Sequence, residues 1–510
     1  MTAFRPRNLP TVVLYVFRMY FINLMPAIAY VLDMYHRTNA AYGINEVILS
    51  SAMAAIIFPL FAIQPLTFVG ITGLINLVNY TQYDIVVGYY GLNQMDYLRV
   101  QAWSLIWSAI FHFIGAIFNT CDFVRFITDM TSETFGYYVG VIYIEKGIEL
   151  LILEFEPSPL DNATGWLSVT IAILFTVSVY LASAIGGTTY LPFRLRHLVA
   201  YFAFIAGILF WTGFSHFPEN SLRRIPIERL PITKSFFPTM DRPWLVDFWN
   251  IEVRWVFVGL PLGFLITLLF WFDHNVSAVM AQSRSFPVKR PAGFHWDFFV
   301  LGITTFIAGI LGLPAPNGLV PQCPWSTESL SIFKQRTVNE NVEDQPSKSK
   351  PSTKIEITRL VEQRVGFLVV GGLTLATMSR PFLVALGTMP RALFSGVFIL
   401  VGWTSIEKNG ITVRTLALFR DAAFVQGEKL HTIRRVKIAL YVGIQWLFFA
   451  MTIAISQTIA GIGFPVIIIL LIPTRHYLIP LMFSAEELDV LDAPTANADV
   501  VWNSIGGKPE

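Results

Sequence analysis

The sequence predicts an all-α membrane protein of 14 transmembrane spans, seven in each half, and three observations predict it. Charge is scarce: 14% of the 510 residues are Asp, Glu, Lys or Arg, where a soluble chain carries about 25%. Apolar residues take that place, with 54% hydrophobic, 43 Phe and a mean hydropathy of +0.57. Third, apolar segments long enough for a bilayer recur along the whole chain. A soluble globular enzyme is thereby excluded, and the lipid bilayer becomes the first partner. With 36 basic against 34 acidic residues there is no field for capturing nucleic acid, and Cys121 and Cys323 make neither a disulfide framework nor a thiolate metal site.

The first span, Val12 to Leu32, is too long for a signal-peptide core and lacks a small-residue cleavage site. Apolar cores follow near Val47 to Ile63, Leu66 to Val78, Trp103 to Phe118, Phe135 to Leu153, Trp166 to Ile185 and Leu198 to Phe214. After a polar loop they resume near Trp255 to Ala281, Phe298 to Leu313, Gly318 to Ile332, Val365 to Leu386, Pro390 to Gly402, Ile438 to Ile455 and Ile459 to Ile472. The expected organisation is a cytoplasmic N-terminus (1–11), a first seven-span unit (12–214), an extracellular loop (215–250), a second unit (251–483) interrupted by a cytoplasmic linker (332–364), and a cytoplasmic tail (484–510).

The third and tenth segments are broken in matching places. Gln64-Pro65 through Gly70-Ile71-Thr72-Gly73 leaves about ten residues of helix before Asn79, roughly 15 Å, or half a bilayer. The stretch from Leu313 to Pro324 places Pro314, Pro316, Pro321 and Pro324 where a continuous helix is excluded. Irregular backbone at membrane depth is tolerated only where it is buried in protein or lines a watery cavity. Matching interruptions in two halves point to a secondary-transporter binding site, with two half-helix N-termini aimed at one anion.

Charge sets the orientation. The linkers carrying Arg194 and Arg196, Arg284 with Lys289 and Arg290, Lys334 to Arg364, and Lys408 to Lys437 share the N-terminal side, which is therefore cytoplasmic. The loop from Phe214 to Asn250 also has basic residues, but its acids and prolines read as a folded cap; Thr337 to Lys354 reads as a disordered linker. Within the spans, Asp273 ends an uncharged run from Trp255 and sits about 27 Å along its helix. An intramembrane acid marks a pairing or a functional site, and with His274 and Asn275 following it the site reading is preferred. Glu145, Lys146 and Glu149 read as a local ion pair near the membrane edge. P-loop, nucleophile-elbow, HExxH and dinucleotide patterns are absent, so neither ATP-driven pumping nor enzymatic catalysis is expected, and no cofactor is implied.

Tyr42-Gly-Ile-Asn-Glu-Val, Gln64-Pro65-Leu66, Phe272-Asp273-His274-Asn275-Val276, Gly293-Phe-His-Trp-Asp297, Leu311-Gly-Leu-Pro314, Val361-Glu-Gln-Arg364 and Pro390-Arg-Ala-Leu-Phe-Ser-Gly396 resemble the bicarbonate-transporter and anion-exchanger family from about Phe21 to Asp492. Phe272 to Gln282, Pro316 to Gln322 and Leu230 to Thr239 resemble its fungal and plant borate-transporter branch. The resemblance implies two inverted seven-span repeats, a core domain (spans one to four and eight to eleven), a gate domain that forms a homodimer, and location in the plasma membrane. It selects as substrate-binding residues Gly70, Thr72 and Gly73 on the third span, Asp273 on the eighth, and Val320, Pro321 and Gln322 on the tenth. It implies efflux of borate or boric acid by elevator-like movement, with Asp273 tuning the charge or carrying a proton or serving a coupling ion. Gln322 stands where vertebrate chloride/bicarbonate exchangers have arginine, which suits a largely neutral acid. Leu74 replaces the family's usual proline, leaving the start of the third helix open. A bicarbonate/chloride exchanger and a non-transporting scaffold remain the alternatives.

The even span count and the basic linkers generate a topology prediction. A tag inserted near Ser221 should be labelled on intact cells, and one near Gln345 only after permeabilisation; the opposite labelling pattern overturns the two-half arrangement.

Overall fold

The computed structural model describes all residues except 1–5, 7, 156–161, 218–224, 226, 339–351, 422–428, 459–460, 462, 497–498, 506 and 508–510. Ser221, Gln345 and the centre of the expected linker thus lie outside the described residues.

Every apolar segment of the sequence contains or adjoins a helix. The first half holds α1 (Leu9–Arg37), α2 (Ile44–Phe61), the short strand β1 (Val69–Gly70), α3 (Gly73–Tyr83), α4 (Gln94–Ile117), α5 (Asp129–Leu153), α6 (Asn162–Ala184) and α7 (Phe193–Phe214). The second holds α8 (Val253–Ala281), α9 (Phe294–Leu311), β2 (Asn317–Gly318), α10 (Gln322–Ser329), β3 (Ser331–Val338), β4 (Ser352–Leu360), α11 (Val365–Ala376), α12 (Arg380–Gly387), α13 (Arg391–Glu407), α14 (Gly410–Phe419), α15 (Arg435–Ser456) and α16 (Phe464–Pro473). Among the described residues nine helices are long and apolar enough to cross a membrane, or ten if α11 and α12, bent by 79°, form one span. The bend falls where Ser379 takes the N-cap position of α12 with extended backbone and Pro381 occupies the first turn. The fold is therefore that of a multi-pass helical membrane protein.

The helices pack as two bundles. In one, α4 lies along α8 and α9, and α2 along α9 and α11; in the other, α5 and α6 lie along α13, with α15 beside α5 and α16. Without a hydrophobic force between helices in lipid, close backbone approach supplies the attraction. The α5–α13 seam shows it: a Cβ on Gly402 would stand 2.5 Å from the Gly140 carbonyl oxygen, and one on Gly147 would stand 3.0 Å from that of Ser395.

Several expectations change. The third helix does start at Gly73 despite Leu74, but it runs through Asn79 to Tyr83 and continues as a wide π turn to Tyr89. Asn79 does not end it because neighbouring helices satisfy its amide: Gln101 Nε2 donates to its Oδ1 (2.8 Å) and its Nδ2 donates to Met34 Sδ (3.5 Å). The tenth segment is helical only over Gln322–Ser329, and the linker after it is built at both ends as the antiparallel pair β3–β4 rather than as unstructured chain. Within the basic linker from Lys408 to Lys437, Gly410–Phe419 forms the short apolar helix α14.

The loop before α8 folds onto the protein, as its composition suggested. Asn45 Nδ2 donates to the carbonyls of Lys234 and Phe237, both at 2.7 Å, and the buried Glu46 carboxylate accepts from Thr239 N (2.6 Å) and Oγ1 (2.7 Å). Arg242 is buried and donates to Gly312 O (2.9 Å), where α9 ends in a left-handed turn (φ 60°) that glycine adopts without strain.

Gly402→Val should drive a branched side chain into the Gly140 backbone and separate α5 from α13. The expected outcome is loss of the monodisperse peak in fluorescence-detected size exclusion, while Gly443→Val, where an added Cβ meets open space, should leave it intact.

Candidate functional site

The two broken segments meet. Val69 pairs with Gly318 and Gly70 with Asn317 in an antiparallel two-residue ribbon, extended by Leu319 N donating to Phe68 O (3.0 Å). Phe68 N donates to Cys323 Sγ at 3.2 Å, and Ser50 Oγ donates to Pro314 O at 2.6 Å. Each irregular stretch thus supplies the other with partners that lipid cannot. From this crossing α3 begins with Thr72 as its N-cap residue and α10 with Pro321, so two helix N-termini start beside one another. In α10 Pro324 has no N–H and Cys323 N donates to Leu319 O at 2.9 Å, which leaves the Gln322 N–H for the site.

A small cavity lies at that point, of about 10 Å³, comparable to the room one water needs. Thr72, Gly73, Asp273, Val320, Pro321 and Gln322 all line it, so six of the residues selected from sequence converge. Gly70 does not: it lies behind the wall in the ribbon, and a Cβ there would be 2.9 Å from Asn23 Oδ1. Gly73 needs its missing side chain because a Cβ would lie 2.4 Å from the Tyr30 ring.

The sequence reading missed the other wall. Tyr30 of α1 and Val139, Ile142 and Tyr143 of α5 form it, and Leu74 and Leu319 complete the lining. Tyr143 accepts a hydrogen bond from Gln322 Nε2 at 3.3 Å, and the Tyr30 ring lies 5.3 Å from Tyr143 and 4.6 Å from Phe398 of α13, centroid to centroid. The site therefore lies where the two bundles touch. No local pattern marks a tyrosine within an apolar helix as a wall residue; only Tyr143's closeness to Glu145 and Lys146 hints at a polar face.

Asp273 is 2% exposed and accepts from Asn317 Nδ2 at 2.9 Å. Among the described residues it is the one carboxylic acid in the lining, and no Arg, Lys or His shares the wall. Of the lining side chains, Thr72 Oγ1, Tyr30 Oη and Gln322 Oε1 are buried without a hydrogen-bond partner among the described residues. Buried polar atoms are normally satisfied, so this set, weighted to hydroxyls and amide oxygens, is fitted to a small solute that donates and accepts hydrogen bonds. Among the described residues no cluster of His, Cys, Asp and Glu could hold a metal ion.

A larger cavity of about 580 Å³ adjoins the small one, sharing Gly73, Leu74 and Ile142 with it and opening past the C-terminal end of α1. Lys146 lines it and pairs with Glu149 at 2.7 Å, the local ion pair expected from the sequence; Gln457 Nε2 donates to Glu145 (2.8 Å).

The chain is similar to several known membrane proteins. A family model described as the HCO3- transporter integral membrane domain matches residues 7–172 and 161–496. A Schizosaccharomyces pombe chain is 41% identical over 93% of this chain and 89% of its own length. Boron transporter 1 of Saccharomyces cerevisiae is 37% identical over 99% of this chain and 84% of its own. The transmembrane domain of the cyanobacterial bicarbonate transporter BicA superposes with a TM-score of 0.57 at 13% identity, covering 91% of this chain and 98% of that one, which shows a common fold.

Asp273→Asn keeps the size of the side chain and an acceptor for Asn317 while removing the charge. The variant should purify and melt like the native protein, while solute flux into proteoliposomes falls by about tenfold or more, the factor that about 1.4 kcal/mol supplies, or loses its pH dependence. Native flux at every pH would make the aspartate a structural residue.

Proposed function

The chain belongs to the HCO3- transporter integral-membrane family, and from that premise we propose that it is a secondary active borate transporter, exporting boron across the plasma membrane by elevator-like alternating access. The observation that carries the reading is the chemistry of the central cavity. It offers two positive helix ends, unpartnered hydroxyl and amide groups, one acid, and no fixed cation. Boric acid and tetrahydroxyborate present hydroxyls in three or four directions, which such a wall can meet; chloride offers no donor at all.

In this reading Gln322 and Thr72 hydrogen-bond the B–OH groups, the N-termini of α3 and α10 offset negative charge, and Asp273 tunes the charge of the site or carries a proton or serves a coupling ion. Tyr30 and Tyr143 join that list, because they close the same cavity from opposite bundles. Fourteen spans in two inverted repeats, cytoplasmic termini and a homodimer joined through the gate bundle belong to the same proposal. Under that topology the cavity of about 580 Å³ opens to the extracellular side. The bundle containing α5 and α13 then acts as the gate, against which α1, α3, α8 and α10 carry the solute. A bicarbonate or chloride exchanger would be expected to place a cation beside a half-helix N-terminus, as Gln322→Arg would here; the unsubstituted amide favours borate.

Cells expressing the native protein should hold less boron than cells without it, and its vesicles should carry little chloride. Gln322→Arg adds a charge and only donors beside a helix end that is already positive, so it should lose boron efflux while still reaching the membrane. Strong chloride-for-bicarbonate exchange with no boron flux under the same conditions would falsify the borate assignment while leaving the fold intact.

A further inference from the structure

A third cavity, of about 680 Å³, lies on the other side of the central site, between α1, α7, α10 and α13. It begins one turn further along α10, where Trp325 lines it as Gln322 lines the site. Its charge balance is the reverse of that in the cavity past the end of α1. There Arg37 and Lys146 face three carboxylates, and both cations lie within ion-pair reach of Glu149, at 3.7 Å and 2.7 Å. Here Arg18 and Lys408 face a single carboxylate, Glu328.

Arg18 has no carboxylate within ion-pair distance among the described residues. Its Nη1 donates to the neutral Ser329 Oγ at 2.9 Å, and its guanidinium carbon lies 4.6 Å from the Tyr201 ring centroid. One neutral acceptor leaves most of the guanidinium's five N–H donors unused. Among the described residues two more polar atoms of the same wall, His197 Nε2 and the Tyr201 hydroxyl, which faces Arg18 and Ser329, are buried with no partner at hydrogen-bond geometry. An arginine within a membrane-spanning helix is costly and ordinarily has a counter-charge. A stacked, planar guanidinium beside unpartnered polar atoms is suited to an oxyanion held through two parallel hydrogen bonds.

We propose that Arg18, with Tyr201 and His197, forms a second anion-binding site, which holds an oxyanion such as tetrahydroxyborate before it enters the central cavity. The identity of the anion rests on the borate-export reading; the existence of the site does not. A mouth with excess positive charge concentrates anions and an acidic one depletes them, commonly by a factor of about ten or more. Apparent affinity is therefore higher from the Arg18 side, cytoplasmic in the proposed topology, while the boron gradient and any coupled ion still set the direction of net flux.

The test uses the full-length chain. Initial boron efflux is measured against cytoplasmic boron in cells carrying the native protein, Arg18→Gln or Arg18→Lys, with surface expression matched. Arg18→Gln should raise the half-saturating concentration by about five- to tenfold, more than it lowers the saturating rate. Arg18→Lys should restore part of the loss, and in vesicles half-saturation should rise with ionic strength in the native protein but not in Arg18→Gln. Unchanged half-saturation, or a fall in saturating rate alone that lysine does not rescue, overturns the site and leaves Arg18 as a tie between helices. If the native protein moves no boron, the export reading fails, and the site is judged on purified protein. Sodium bicarbonate should then raise the melting temperature less in Arg18→Gln than in native, and identical titrations overturn it.

Discussion

A backbone that leaves the helix inside a membrane must find hydrogen-bond partners within the protein, and this molecule meets that constraint by crossing its two broken segments. The β1–β2 ribbon, Leu319 N on Phe68 O, Cys323 Sγ at Phe68 N and Ser50 on the Pro314 carbonyl together satisfy stretches that prolines and glycines keep from being helical. Because the crossing is fixed, α3 and α10 must start there, and the positive ends of two half-helices share one small volume. The site is a consequence of how the irregular backbone is satisfied.

Most of the motifs that carry the family resemblance serve to hold that arrangement. Glu46 and Asn45 tie the loop before α8 to the start of α2. Asp297 accepts from Ile63 N at 2.6 Å where α2 gives way to the first broken segment, and Arg364 donates to the carbonyls of Pro59 and Ile63 at 2.7 and 3.1 Å. Glu362 accepts from Lys289 N and Arg290 N at 2.6 and 3.1 Å, anchoring the turn between α8 and α9. Charged groups at membrane depth or its edge thus satisfy backbone groups at helix ends, where an orphaned N–H or C=O would otherwise remain. Asp273 is the exception, since its partner, Asn317, is a side chain of the ribbon and Asp273 itself lines the cavity.

The boundary between the bundles gives the cavity its other property. Tyr30 on α1 meets Tyr143 on α5 and Phe398 on α13, so one wall of the site belongs to each bundle. Aromatic contacts of this kind are broad and weakly directional, and they can slide or separate at lower cost than a buried ion pair. Most of the polar ties described above join parts of one bundle or hold loops, while the contacts across the seam are aromatic and apolar apart from Gln322 Nε2 on Tyr143 and the Arg37–Glu149 pair at 3.7 Å. That division suits a machine whose halves stay rigid while their interface changes.

The sequence by itself determined the membrane class, the place of most helices and the two interrupted segments. These follow from hydropathy and from proline and glycine chemistry, which act over a few residues and need no partner. It also brought six of seven selected site residues to one cavity, because they cluster at the two interruptions or carry an unpaired charge. Tertiary structure alone decided the rest. Gly70 is turned into the ribbon by its pairing with Asn317, and Asn79 is held within α3 by Gln101 and Met34. Tyr30 and Tyr143 enter the site because α1 and α5 meet across the seam, and Arg18 faces a cavity instead of lipid because α7 and α10 close around it. An aromatic or a lone arginine in an apolar helix looks alike from sequence whether it meets lipid, core or solute. The neighbour that decides comes from a distant part of the chain, and only the packed fold supplies it.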